Sequence, residues 1–202
     1  MALDTFSNLS ASIASWLHRS DLTTVIPDFI ALAEEMIWHD LRVKEMEADS
    51  TVTLSTTART VALPSLPLEI RRIYLNVSPI QTLLPMTTQQ IVENYDQSSG
   101  RPKYYAVIGS TLEFDRTPDS AYTAYVNYFK KLTALSSTNT VNDILTYYPS
   151  VYLWGSCMQG AIYTKNDADT AKFKGLFDEE VMKANHQTKN GRYGAGLAMR
   201  PV

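Results

Sequence analysis

The chain has 202 residues, a net charge of −3 and a pI near 5.6, with 45% hydrophobic and 19% charged residues. That length is enough for one real core, and the acidic balance excludes a general nucleic-acid binder, which carries a basic face. The single cysteine, Cys157, excludes an intramolecular disulfide and points to a reducing compartment.

The opening Met1-Ala2-Leu3-Asp4-Thr5-Phe6 has neither a basic region nor an apolar run, so no signal peptide is expected. Thr5 to Leu17 predicts a helix, because Phe6, Leu9, Ile13, Trp16 and Leu17 recur on one face. Asp21 can cap a short turn. Pro27 then opens a second helix, where its missing N–H costs nothing, and Phe29, Ile30, Ala33, Met36, Ile37 and Leu41 form its apolar stripe. Trp38 lies to one side of that stripe.

After Arg42 the period changes from helical to alternating. Thr51–Leu54, Thr60–Leu63 and Ile73–Val77 read as half-buried strands, with Pro64 and Pro67 marking a turn. Ile91 to Tyr95 fits a single helical turn, and Gln97–Pro102 a loop. Lys103–Ile108 and Thr111–Asp115 flank Gly109-Ser110, and glycine at the first place of a two-residue loop predicts a type II′ hairpin. Tyr122 to Phe129 should pair back as a strand, so residues 43–134 predict a β-meander or small sandwich.

Helical character returns after a linker at Ser136–Asn139, with Asn139 or Asn142 as the cap of a short turn holding Ile144 and Leu145. Pro149 opens a helix striped by Val151, Trp154, Met158, Ala161 and Ile162, and Asn166-Asp167 breaks it. A last helix carries Phe173, Leu176, Phe177, Val181 and Ala184, with Gly191 at the place of a C-cap glycine. The remaining tail, Arg192-Tyr193-Gly194-Ala195-Gly196-Leu197-Ala198-Met199-Arg200-Pro201-Val202, has too few large side chains for a core of its own and suits ordering on a partner.

The economical architecture is α+β. It has an antiparallel helical bundle core built from N-terminal helices (1–42) and C-terminal helices (135–190). An antiparallel β-rich insertion (43–134) interrupts the bundle, and an extended tail (191–202) follows it.

No catalytic, cofactor-binding or metal-ligating set stands out. His18, His39 and His186 lie in no H-E-x-x-H context, and Glu35 with His39 is a lone i,i+4 pair. Cys157 reads as a buried structural thiol, and Gly155-Ser156-Cys157 lacks the nucleophile elbow. The glycines at 191, 194 and 196 follow a helix, whereas a phosphate loop precedes one. Glu34 with Glu35, and Asp178 with Glu179 and Glu180, read as solvated helix faces. The doublets Arg71-Arg72 and Lys130-Lys131 read the same way. The tyrosines clustered in and just after the β-rich segment read either as strand formers packed in the core or as interface aromatics, because alternation along a strand turns about half of its side chains outward; Tyr104, Tyr105, Tyr125 and Tyr128 are the candidates for the second reading.

Several segments, taken in order, resemble a known family. They are Ile26-Pro27-Asp28-Phe29-Ile30-Ala31-Leu32-Ala33-Glu34-Glu35 with Leu41-Arg42, Gly100-Arg101-Pro102-Lys103-Tyr104-Tyr105 and Tyr125-Val126-Asn127-Tyr128-Phe129. Tyr147-Tyr148-Pro149-Ser150-Val151-Tyr152-Leu153-Trp154-Gly155 and Gly196-Leu197-Ala198-Met199-Arg200-Pro201 complete the set. Together they resemble the head-to-tail adaptor (neck) proteins of tailed bacteriophages, most of all the tail accessory factor and tail tubular A groups. The resemblance implies a non-enzymatic virion protein, made in the host cytoplasm, that forms a homo-oligomeric ring, commonly dodecameric, beneath the portal protein. It implies a ring that extends the DNA channel, passes genomic DNA without reading its sequence, and supports a tail nozzle or tail-tube protein. It places the portal-docking segment in the tail, at Arg192, Tyr193, Leu197, Met199, Arg200, Pro201 and Val202. No cofactor and no membrane are implied. The competing readings are a peptidoglycan hydrolase carried by a virion protein and a stand-alone cytosolic binding module.

Overall fold

The computed structural model describes residues 3–63 and 67–192. The predicted turn at Pro64 and the tail residues 193–202 lie outside the described residues. The chain divides into two compact units. One holds the described residues up to Met46 and from Leu132 onward, and the other is Glu47–Lys131.

In the first unit, α1 (Phe6–Trp16) starts at Thr5, whose hydroxyl accepts the Asn8 N–H at 3.3 Å. α2 (Ile26–Asp40) has Pro27 in its first turn and no side-chain cap. A 3-10 turn, Lys44–Met46, follows it. After the β unit come α4 (Asp143–Tyr147), α5 (Pro149–Tyr163) and α6 (Asp167–Arg192). Of the two asparagines considered, Asn142 caps α4, accepting the Leu145 N–H at 2.9 Å. The predicted break at Asn166-Asp167 is the junction of α5 and α6, with Lys165 left-handed at φ 56°.

α5 packs against α1, α2, α4 and α6, and it is buried nearly all round, the pattern of a central helix. Two of its glycines let neighbours approach. A Cβ at Gly155 would stand 3.1 Å from Ala33 Cβ and 3.2 Å from the Phe177 ring, and one at Gly160 would meet Leu17 at 2.4 Å. Trp154, expected in the stripe, is half-buried, edge-on to Trp16 at 4.9 Å and stacked on Phe173 at 6.1 Å. Ile162, also expected there, is 50% exposed. Gly191 does not end α6, which continues through it to Arg192.

In the second unit, seven strands make one sheet. They are β1 (Glu47–Thr53), β2 (Thr60–Ala62), β3 (Glu69–Leu75), β4 (Gln81–Pro85), β5 (Tyr104–Ile108), β6 (Thr111–Phe114) and β7 (Thr123–Phe129). Their order is β1-β7-β3-β4-β5-β6-β2, which is neither a meander nor a sandwich. One core, with Val52, Ile73, Leu83, Leu112, Phe114 and Val126 among its members, draws residues from all parts of the sheet, so the sheet curls around it. The sheet is not wholly antiparallel, because β4 pairs antiparallel with β3 at Leu83 and then parallel with β5 at Leu84 and Pro85.

A parallel pair needs a crossover. Here it is the segment containing α3 (Thr88–Glu93), held by a Thr87–Gln90 capping box that starts the helix earlier than the predicted turn at Ile91. The β5–β6 hairpin forms as expected. Ile108 faces Thr111 across a two-residue loop, and Gly109 has φ +59°, the left-handed backbone a type II′ turn places first.

Candidate interaction surfaces

Among the described residues no group of three His, Cys, Asp or Glu side chains is placed to hold a metal. His18, His39 and His186 are exposed at the ends of α1 and α2 and on α6. Cys157 is buried in α5, and burial pushes its thiol up to about 12, away from a reactive thiolate. No helix among the described residues is long and apolar enough to cross a membrane.

One expected surface charge is internal. Glu34 is 2% exposed, and its Oε1 accepts the Leu135 N–H at 2.8 Å and the Tyr152 hydroxyl at 2.9 Å. Asn142 donates to the Tyr152 hydroxyl at 2.7 Å. The carboxylate thus ties α2 to the start of the C-terminal helices, and a buried acceptor needs such partners. The reading of Glu34 as solvated fails because it shares a face with Ile30, Ala33, Ile37 and Leu41. Tyr152 is held protonated by burial first and by Glu34 second. Glu180, also read as solvated, accepts from Ser150 at 2.8 Å, which lowers its pKa, with Lys183 adding to the effect.

The four candidate tyrosines separate by strand alternation. Tyr105 and Tyr128 belong to the core of the sheet and are 5% and 9% exposed, which corrects their place among outward aromatics. Tyr104 and Tyr125 are half-buried. Tyr125 stands opposite Tyr74 across the β3–β7 ladder, their rings stacked at 5.1 Å, and Arg72 lies 5.1 Å over the Tyr74 ring. Ile80, 66% exposed, shares a shallow depression with Arg72, Tyr74 and Thr82. Sequence reading missed this face because Tyr74 carries no local signal of pairing with Tyr125 on β7.

The helical unit has its own surfaces. Leu32, Ile162 and Tyr163 are 47%, 50% and 58% exposed, with Tyr163 against Phe29 at 5.4 Å. A groove of about 520 Å³ runs along α6 beside the end of α2, lined by Phe177, Val181 and Met182 together with Asp40, Asp178, Asn185 and His186. The helix carries backbone as far as Arg192, and the other predicted docking residues, Tyr193, Leu197, Met199, Arg200, Pro201 and Val202, lie outside the described residues.

The arrangement offers contact surfaces: a stacked aromatic and arginine face, exposed aliphatics, and a groove of mixed apolar and polar lining. The model of the SU10 adaptor protein family, a family of phage head-to-tail adaptors, matches residues 4–200. No curated protein matches the chain.

Proposed function

Because the chain belongs to the SU10 adaptor protein family, we propose that it is a structural subunit of a bacteriophage virion neck, assembled as a dodecameric ring beneath the portal. The carrying observation is the family match over residues 4–200, nearly the whole chain. In this reading the helices of residues 1–42 and 135–192 form an antiparallel helical bundle, residues 43–134 are an insertion, and the residues after α6 are an extended tail. The tail docks on the portal through Arg192, Tyr193, Leu197, Met199, Arg200, Pro201 and Val202. The sheet unit faces the next tail component, a nozzle or tail-tube protein, and Tyr104 and Tyr125 are its candidate contacts. The ring extends the channel for DNA, and its low positive charge keeps phosphate contacts few.

The physics of a ring supports this role. Ring contacts are heterologous and close by symmetry, and many copies of one weak tail give avidity without a strong single contact. The protein has no enzymatic part in this scheme.

The test is to mix the purified chain with the portal ring of the same particle and measure the mass of the complex. The expected result is a discrete increase equal to a ring of copies, lost when Arg192 to Val202 is deleted from a chain that still folds. No increase, with both proteins folded, would refute the adaptor reading.

A further inference from the structure

The sheet of the second unit has an open outward face. Val52, Val126, Ile73 and Leu83 belong to its core, so by alternation Thr51, Tyr125, Tyr74 and Thr82, opposite one another along β1-β7-β3-β4, point outward. In the next row Arg72 stands opposite Asn127, and Asn127 opposite Asp49. Asp49 is already engaged, its Oδ1 accepting from Asn127 at 2.8 Å. Arg71 is engaged too, on Glu47 at 2.6 Å. Arg72 differs from both. It is exposed, its guanidinium lies 5.1 Å over the Tyr74 ring, and among the described residues no carboxylate pairs with it.

The stacked rings fix what this cation can do. Tyr125, parallel to Tyr74 within 6°, steadies the ring on which the guanidinium rests. A guanidinium laid on a ring uses its flat face there and keeps N–H donors at its edge, where a carboxylate takes two at once. The contact also restrains a long side chain in advance, so less rotamer freedom is lost on binding. Beside it Ile80 is 66% exposed, and Leu84, the next outward position on β4, is 55% exposed. The depression lined by Arg72, Tyr74, Ile80 and Thr82 holds about 220 Å³ and has no acid in its lining. That is smaller than the roughly 300–1,000 Å³ of a small-molecule pocket, and it suits one side chain of a protein. Arginine and tyrosine are the residue types that anchor protein interfaces. A nucleic acid fits less well, because one unpaired cation gives too few phosphate contacts.

We propose that this face docks a partner protein through a carboxylate that forks onto Arg72, with an apolar neighbour of that acid resting against Ile80 and Leu84. The partner is the tail component that the sheet unit meets in the adaptor reading, and the inference rests on that reading for the partner's identity.

The experiment forms the ring on the portal and titrates it with the purified nozzle or tail-tube protein of the same particle. Arg72→Gln should weaken binding about tenfold, and Arg72→Lys should recover only part of the loss, because an ammonium lacks the fork. Ile80→Asp, which sets an acid beside Arg72, should weaken binding as much, and Ile80→Asn less. Both positions are exposed, so thermal melts should match those of the unchanged protein. Affinity should fall with added salt more steeply for the unchanged protein than for Arg72→Gln. Arg101→Gln removes a charge from another guanidinium laid over a ring, that of Tyr122 at 5.6 Å, and should leave binding as it was. An affinity indifferent to Arg72→Gln, or equal losses from Arg72→Gln and Arg101→Gln, would overturn the proposal. So would duplex DNA binding that depends on Arg72 while binding of the tail protein does not, which would assign the face to phosphates. A ring that assembles on the portal but binds neither tail protein would refute the docking site and leave the adaptor reading standing. A chain that fails to join the portal refutes that reading, and with it the partner named here.

Discussion

Replacing Tyr152 by Phe isolates the buried link between α2 and α5. The ring is 1% exposed and keeps its packing in the variant, while the hydroxyl's two contacts vanish: its donation to Glu34 at 2.9 Å and its acceptance from Asn142 at 2.7 Å. Leaving a buried polar group short of a partner costs about 1–3 kcal/mol. Glu34 retains Leu135 N–H at 2.8 Å, and Asn142 retains Thr133 O at 3.2 Å, so we expect a loss of about 2 kcal/mol, the middle of that range. Urea unfolding followed by tryptophan fluorescence reads the correct part of the molecule, because Trp16, Trp38 and Trp154 all belong to the helical unit. With a urea slope of about 2 kcal/mol per M, the midpoint should fall by about 1 M at unchanged slope. A double-mutant cycle with Glu34→Ala should return a coupling of about 1–2 kcal/mol. A midpoint shift below about 0.2 M, or additivity within about 0.3 kcal/mol, would refute the reasoning.

Three further outcomes are expected. Gly155→Val should destabilise by about 1–3 kcal/mol in the same urea assay, because its side chain meets Ala33 and Phe177, and Gly155→Ala should cost less; a neutral valine would mean that the helices separate freely. Gly109→Val should lower stability by about 1–2 kcal/mol although its Cβ meets nothing within 4 Å, and Gly109→Asn should cost less; equal effects in thermal melts would show that the left-handed turn is not the cause. Cys157 should resist thiol reagents until the protein unfolds. Its folded thiol, raised to about 12 from an ordinary 9.0, releases its proton later than the unfolded one, so stability should fall as pH rises above about 9. Cys157→Ala should flatten that decline, and parallel pH curves for the two proteins would refute it.

The helices were legible because each repeats an apolar stripe. Leu9 and Ile13, then Phe29, Ile30, Ala33 and Ile37, then Phe173, Phe177 and Val181 are all buried where the spacing put them. The hairpin was legible from Gly109 alone. Glu34 was not, since residue type outweighed position, yet its place seven residues before Leu41 and four after Ile30 was a usable signal. β4 was missed because Gln81–Pro85 is short and ends in proline, and its change of partner from β3 to β5 is set by contacts remote in sequence. Alternation separated Tyr125 from Tyr128 but could not say which set faces inward; that depends on the curl of the whole sheet. Gly191 read as a stop from its local propensity, but a helix interior tolerates glycine at about 1 kcal/mol. The groove was illegible because its parts, Asp40 and the α6 face, are joined only by folding.

The division of the helical unit between the two ends of the chain has a consequence for synthesis. Glu34 leaves the ribosome 101 residues before Leu135 and 118 before Tyr152, both of which donate to it. At roughly 5–20 residues per second, that interval is on the order of ten seconds. Throughout it α1 and α2 have no α5 to cover their apolar faces, and before it ends the sheet, contiguous from Glu47 to Lys131, has all of its strands. The sheet can therefore close while the first two helices still wait, and any holdase that protects this protein during translation has its target in residues 6–40.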